Sequence, residues 1–189
     1  AGDAAHMLPI FGVRGANTGF QDAQALGWRL ALVAKGAASP KLLDSYSSER
    51  CYAADENILN STRATDFITP KNAASRLFRD AVLDLARTHD FARRLVNSGR
   101  LSVPTKHAAS PLSTPDDGDF AAGVAPGSPA LDAPLGASEK TGGWLLDTLK
   151  GGFTLLAFGE LDANAAARIA RLPVPVRSCV VPPDAALAY

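Results

Sequence analysis

The chain has 189 residues, 47% of them hydrophobic, and its 19 basic residues are balanced by 19 acidic ones. A neutral chain lacks the basic excess that attracts nucleic acid or anionic membranes, and no apolar run reaches the roughly 18 residues that a membrane span needs. Neither partner is expected, and the expected compartment is the cytoplasm. Two cysteines, Cys51 and Cys179, fit no metal or redox spacing and are expected to be reduced and buried.

Hydrophobic periodicity predicts four helices in the first hundred residues. The first covers residues 17–35, with Asn17 or Thr18 as its cap and Gly36 at its end. Its buried face is expected to carry the residues that recur at three- and four-residue steps, namely Phe20, Ala23, Gly27, Leu30, Ala31 and Ala34. Further helices are predicted over residues 41–67, 77–85 and 90–96.

The second half of the chain is predicted to contain loops followed by a small α/β unit. Prolines are concentrated between residues 104 and 134, which indicates a linker or loops over residues 101–143. Beyond it, a short helix at 144–149, a strand at 153–158, a helix at 164–171 and a strand at 174–181 are predicted. The first strand is continuously apolar and is interpreted as buried, so a partner segment or self-association is expected to cover it.

The main chemical signal lies in the glycine-rich start of the chain. Gly2 permits a close approach of a ligand, and the carboxylate of Asp3 can accept hydrogen bonds from sugar or ribityl hydroxyls. About a dozen residues later, the segment 12–17 enters a helix N-terminus, whose N–H groups and partial positive charge suit an anion or a carbonyl. This pairing fits a flavin or a nucleotide better than a metal, but the glycine spacing alone is equally compatible with a plain loop.

A longer set of residues makes the pattern specific. It comprises Gly2-Asp3-Ala4-Ala5-His6, Pro9, Gly12, Gly15-Ala16-Asn17-Thr18-Gly19, Asp22-Ala23 and Leu26-Gly27-Trp28-Arg29-Leu30-Ala31. This set resembles the second FAD-binding signature of the flavin-dependent aromatic hydroxylases, the family of para-hydroxybenzoate hydroxylase, phenol hydroxylase and 3-(3-hydroxyphenyl)propionate hydroxylase. The segment Leu42-Leu43-Asp44-Ser45-Tyr46-Ser47-Ser48-Glu49-Arg50 is similar to another stretch of that family.

The resemblance extends to the C-terminal part and implies a fold. Residues 127–130, 145–147 and 152–159 resemble the last domain of the phenol hydroxylase branch, which is thioredoxin-like but lacks the redox dithiol. The implied architecture is α/β, with the helical end of an FAD-binding domain at residues 1–100 and a linker at 101–143. An incomplete thioredoxin-like domain is implied at residues 144–189.

The resemblance also implies roles for particular residues in binding FAD. The match at Gly2 and Asp3 implies a hydrogen bond to the ribityl chain. The matches at Gly15, Ala16 and Asn17 imply backbone N–H groups that face the N1 and C2-carbonyl edge of the flavin. Pro9 matches a proline beside the reactive face of the flavin, whereas Ile10 departs from the second proline of that pair. No catalytic residue and no metal ligand is implied, and His6 is assigned a packing or hydrogen-bonding role.

The implied activity is that of an FAD-dependent, NAD(P)H-using monooxygenase, which hydroxylates a phenolic or other aromatic small molecule through a flavin hydroperoxide. The Gly-x-Gly-x-x-Gly fingerprint that binds the ADP half of FAD does not occur in this sequence. We therefore expect the chain to be a C-terminal portion of such an enzyme. By itself it is expected to be inactive and to bind FAD weakly, and the whole enzyme is expected to be a homodimer. The alternative is a folded, non-catalytic fragment that serves as a dimerisation or interaction module.

Overall fold

A computed structural model describes residues 1–10, 12–96, 103–115, 124–135, 143–149 and 151–181. The chain divides into two compact units, residues 1–105 and residues 106–189. The first unit contains a 3-10 turn, Gly2–Ala4, and the helices α1 (Arg14–Ala34), α2 (Leu42–Ile68), α3 (Ala73–Leu85) and α4 (Asp90–Val96). The second contains α5 (Leu145–Thr148), β1 (Phe153–Phe158), α6 (Ala163–Ala170) and β2 (Val176–Val181). The chain is thus a mixed α/β fragment, mostly helical, with a small parallel sheet.

Local capping chemistry explains where several helices begin and end. At the end of α1, Gly36 has φ +67°, its N–H donates to Val33 O over 3.0 Å, and Ala37 N–H donates to Leu32 O over 2.9 Å. This pair of bonds is a Schellman motif, which confirms the predicted stop at Gly36. The helices α3 and α6 begin after Asn72 and Asp162, whose side-chain oxygens each accept a backbone N–H over 2.8 Å.

The start of α1 differs from the sequence prediction. The helix begins at Arg14, and the residue before it, Val13, has left-handed backbone angles (φ 52°, ψ 41°). Asn17 and Thr18 therefore lie inside the helix, and the prediction that either one caps it is wrong. The side chain of Asn17 instead donates from Nδ2 to Val13 O over 3.1 Å.

The predicted buried face of α1 is also wrong. Phe20 is 76% exposed and Leu30 is 45% exposed, whereas Thr18, Asp22 and Arg29 are fully buried. The reason is the surface that α1 meets, because α1 packs against α2. The buried residues of α2 are mainly polar or small: Ser45, Arg50, Ala53, Ala54, Asn57 and Ser61. The interface between the two helices is therefore held largely by polar and charged contacts.

In the second unit, β1 and β2 pair in parallel, from Phe153 opposite Val176 to Phe158 opposite Val181, and α6 connects them. The interpretation of β1 as a buried strand is wrong within this chain, because Phe153 and Phe158 are exposed and the four residues between them are half-buried. The short helix α5 contributes a fully buried Leu145, and Thr148 Oγ1 lies 3.6 Å from Cys179 Sγ on β2.

The expectation of two buried thiols is likewise wrong. Both cysteines are free, but Cys51 is exposed on α2 and Cys179 is half-buried on β2. Within the described ranges, no helix is both long and apolar enough to cross a membrane.

Gly127 joins two loops of the second unit and is a position where a side chain does not fit. Its carbonyl accepts the N–H of His107 over 2.7 Å, its φ is +80°, and a Cβ there would lie 2.5 Å from the His107 carbonyl carbon. We expect Gly127→Ala to lower local stability by about 2 kcal/mol, because it adds both backbone strain and a backbone clash. The measurement is amide hydrogen exchange at His107. Gly143→Ala is the control, since a Cβ at Gly143 meets nothing within 4 Å, and equal exchange in both variants would contradict the prediction.

Candidate cofactor site

The turn that carries Asp3 is anchored to α1 by the carboxylate of Asp22. The backbone N–H of Gly2 donates to Asp22 Oδ2 over 2.7 Å, and His6 Nε2 lies 2.8 Å from the same oxygen. Gly2 adopts φ +65° in this turn, a left-handed conformation that glycine accepts without strain. The turn is thus held at residues 2 and 6, and the side chain of Asp3 between them is exposed.

Arg50 on α2 completes the contacts of the Asp22 carboxylate. Its Nε donates to Asp22 Oδ1 over 2.5 Å, and its Nη2 donates to Gln21 Oε1 over 3.4 Å. Burial by itself raises the pKa of Asp22, but the Gly2 N–H, the Arg50 guanidinium and His6 together outweigh it. The pKa of Asp22 therefore lies below its usual value of 3.8, and the side chain is ionised at neutral pH.

This lowered pKa predicts a specific pH dependence of stability. A carboxylate with a lower pKa in the folded state stabilises the fold above its unfolded pKa of 3.8, and that contribution is lost as the pH falls through the folded pKa. We expect the difference in unfolding free energy between the wild type and Asp22→Asn to shrink below about pH 4. Urea denaturation from about pH 6 to pH 3 tests this, and a constant difference across the range would contradict it.

A second buried ion pair joins the same two helices. Arg29 donates from Nη2 to Glu49 Oε2 over 2.5 Å, from Nε to Ser45 Oγ over 2.9 Å and from Nη1 to Ala25 O over 2.8 Å. Its guanidinium carbon also lies 4.3 Å from the centre of the Trp28 ring, a cation–π contact. Arg29 is 2% exposed, so this cluster and the Asp22 cluster fix α1 on α2 at two places.

The N-terminus of α1 presents backbone N–H groups. Because the helix begins at Arg14, the N–H groups of Arg14, Gly15 and Ala16 have no acceptor within the helix. Asn17 is the fourth helical residue, and its N–H is the first donor of the helical ladder, to the carbonyl of Val13. Of the three predicted positions, Gly15 and Ala16 carry amides without an acceptor in the helix, whereas the Asn17 amide is part of the helical ladder.

A cavity of about 420 Å³ lies at this helix N-terminus, with Gly12, Arg14, Asn17, Thr18 and Asn57 in its lining. Arg14 Nη1 donates to Asn57 Oδ1 over 2.6 Å, so a residue of α2 directs the guanidinium of α1. The positive end of the helix and this guanidinium lie on one cavity, which suits a ligand with negative charge. The sequence assigned no role to Arg14, and no local pattern reveals a partner 43 positions away.

The remaining predicted position, Pro9, lies between the turn and the helix, next to Ile10. Pro9 is half-buried and Ile10 is 94% exposed, in a segment outside any regular element. All six residues proposed for FAD binding (Gly2, Asp3, Pro9, Gly15, Ala16 and Asn17) therefore fall on the turn, the connecting segment and the first turn of α1. Across the described parts of the chain, no three His, Cys, Asp or Glu residues cluster as a metal site would require.

Comparison with known proteins relates the first part of the chain to FAD-binding proteins. The sequence profile of the family described as FAD binding domain matches residues 1–61. The chain is 43% identical over 83 residues to 3-(3-hydroxy-phenyl)propionate/3-hydroxycinnamic acid hydroxylase of Comamonas testosteroni, a match covering 44% of this chain and 14% of the relative. The chain is a fragment homologous to the FAD-dependent aromatic hydroxylases.

Two further similarities extend over more of the chain. The 6-methylpretetramide 4-monooxygenase of Streptomyces rimosus is 39% identical over 132 residues, which is 67% of this chain and 23% of that relative. The rebeccamycin biosynthetic enzyme RebC with reduced flavin is a structural neighbour, with a TM-score of 0.71 and 28% identity over all of this chain and 38% of RebC. The chain spans less than half the length of each of these three proteins.

Proposed function

We propose that this chain forms the flavin-facing part of an FAD-dependent monooxygenase that uses NAD(P)H to hydroxylate a phenolic or other aromatic small molecule. The observation that carries the proposal is the placement of two unlike binding features on one helix. The turn that carries the exposed Asp3 carboxylate is anchored to the middle of α1, and the Gly15 and Ala16 amides lie at the N-terminus of that helix beside the Arg14 cavity. A polyol acceptor together with an anion-binding helix end fits FAD.

The proposed roles follow from the chemistry of each group. Asp3 accepts hydrogen bonds from ribityl hydroxyls, and the Gly15 and Ala16 amides face the N1 and C2-carbonyl edge of the flavin. Negative charge on that edge after reduction is stabilised by the helix N-terminus and by the guanidinium of Arg14. Pro9 has no N–H to donate and contributes an apolar contact near the flavin ring. The bound FAD supplies the hydride-accepting and oxygen-activating chemistry, while these residues hold and orient it.

For the second unit, the parallel β1–α6–β2 arrangement supports a thioredoxin-like domain without a redox dithiol. The exposed ends of β1, Phe153 and Phe158, suit contact with a second copy, so we propose a homodimer. This surface is also the observation that favours the alternative function, a non-catalytic interaction module. A yellow protein with bound FAD supports the monooxygenase, and a colourless stable dimer of the complete protein supports the alternative.

The test of the flavin site is to place a negative charge at the helix N-terminus. A Cβ on Gly15 meets nothing within 4 Å, so a side chain can begin there without a clash, and Gly15→Glu introduces a carboxylate beside the proposed flavin edge. In the complete holoenzyme we expect this variant to bind FAD at least roughly tenfold more weakly, because the carboxylate opposes flavin charge and blocks its approach. FAD affinity is measured by flavin fluorescence during titration of the apoprotein.

Gly27→Glu is the matched control. Gly27 lies later in the same helix, is exposed and also has open space around a Cβ. Both variants exchange a helical glycine for glutamate, so they share the change in charge and in helix propensity. Equal FAD affinity in the Gly15→Glu and Gly27→Glu proteins would overturn the proposed site.

A further inference from the structure

We propose that Asp22 is a positioning residue, which fixes the distance between Asp3 and the helix N-terminus by clamping the Gly2–His6 segment to α1. This inference rests on the proposed function, because it assigns Asp22 to the same flavin site. Asp22 itself is fully buried and contacts no ligand in this scheme. It influences FAD binding by holding the turn that carries Asp3.

The clamp has two points of attachment on one oxygen atom. The Gly2 N–H and His6 Nε2 both lie within 2.8 Å of Asp22 Oδ2, and the 3-10 turn that carries Asp3 lies between them. The Gly2 N–H donates a hydrogen bond to this oxygen, and the His6 ring is held against it in a close polar contact. Two attachments prevent the turn from pivoting about either one, which fixes the exposed Asp3 carboxylate relative to α1.

The helix then sets the separation between the two halves of the site. Asp22 follows Gly15 by seven residues on the continuous helix α1, a rise of about 10 Å along the axis. Because α1 is rigid over two turns, the clamp and the Gly15 and Ala16 amides keep a constant spacing. The guanidinium of Arg50 compensates the buried charge of Asp22 by pairing with Oδ1. The other oxygen, Oδ2, is then available to bind the turn.

The experiment is a double-mutant cycle on FAD affinity in the complete holoenzyme. Asp3→Ala is introduced into the wild type and into Asp22→Asn, and FAD dissociation constants are measured by fluorescence titration of the apoproteins. In the wild type we expect Asp3→Ala to weaken FAD binding about ten- to a hundredfold, the effect of one hydrogen bond to a charged group. In the Asp22→Asn protein we expect Asp3→Ala to weaken FAD binding less than about threefold, because the turn no longer keeps Asp3 in position.

Glu49→Gln is the matched control for lost stability. It breaks the other buried ion pair between α1 and α2, that of Glu49 with Arg29, which lies seven residues after Asp22 along α1. Asp3→Ala should keep its full effect on FAD affinity in this background. A smaller effect there, equal to that in Asp22→Asn, would show a general loosening of the fold and would overturn the positioning role.

His6 provides a second variant that leaves the Asp22–Arg50 pair intact. We expect His6→Ala to reduce the effect of Asp3→Ala in the same way as Asp22→Asn, and His6→Gln, whose amide can donate to the Asp22 carboxylate, to restore it. A full Asp3→Ala effect in both the Asp22→Asn and His6→Ala proteins would overturn the inference and leave the proposed function standing. No Asp3→Ala effect in the wild type would instead contradict the ribityl contact of the proposed function, and with it this inference.

Discussion

Replacing Asp22 by alanine is expected to lower the free energy of unfolding by about 3–5 kcal/mol, because it leaves a buried guanidinium without its carboxylate. The side chain of Arg50 is only 7% exposed, and its Nε donates to Asp22 Oδ1. The Gly2 N–H loses its acceptor in the same variant. Urea denaturation followed by circular dichroism of the helices measures the loss.

The Asp66→Ala variant is the control for this prediction. Asp66 also lies on α2 and pairs with Lys71, but the two side chains are 50% and 79% exposed. Solvent screens such a pair, so its loss is expected to change the unfolding free energy by less than about 1 kcal/mol. Losses of equal size in the Asp22 and Asp66 variants would show that the Asp22 pair does not hold α1 on α2.

The carboxylate of Asp22 contributes both to the stability of the first unit and to the geometry of the candidate cofactor site. The partly polar α1–α2 interface buries little large apolar surface, so its register depends on which charged groups meet. A buried ion pair is a weak source of net stability but discriminates strongly against a shifted register. In this chain the register of α1 also determines where the Gly2–Ala4 turn and the Arg14 guanidinium lie. The polar interface therefore specifies the site as well as the packing.

Sequence reasoning located the helices and strands well because their ends depend on neighbouring residues. Gly36 terminates α1, the short helix lies at the predicted residues 90–96, and the strand at residues 153–158 lies where a short apolar run between glycines predicts it. The buried face of α1 was not predictable in this way. The periodicity rule assigns apolar residues to the interior, but Asp22 and Arg29 are buried by partners 28 and 20 positions away on α2.

For the candidate site, the resemblance supplies the proposed residues but not their geometry. The Gly2-Asp3 and Gly15-Ala16 positions followed from the resemblance to aromatic hydroxylases. The true start of α1 did not, because it depends on the left-handed backbone of Val13, which a β-branched residue rarely adopts. Asp22, Arg29, Glu49 and Arg50 were all present in the segments that carry the resemblance. Their roles became visible only when the fold brought the two segments together.

The second large effect is expected for Arg29→Ala, which should lower the free energy of unfolding by about 3–5 kcal/mol. The variant removes the partner of Glu49, whose side chain is 13% exposed, and also the donor to Ser45. Thermal unfolding and urea denaturation both measure the loss. Arg87→Ala is the control, because Arg87 and its partner Asp84 are about 80% exposed, and it is expected to leave the unfolding midpoint unchanged.

A double replacement separates the charge of this pair from its packing. Removing one partner leaves an uncompensated buried charge, whereas removing both leaves none. We therefore expect Arg29→Met combined with Glu49→Met to recover most of the stability that Arg29→Ala loses, because the pair then presents apolar side chains of similar size. If the double variant is as unstable as Arg29→Ala, the shape of the guanidinium and its contacts with Ser45 and Trp28 hold the helices together, rather than the ion pair.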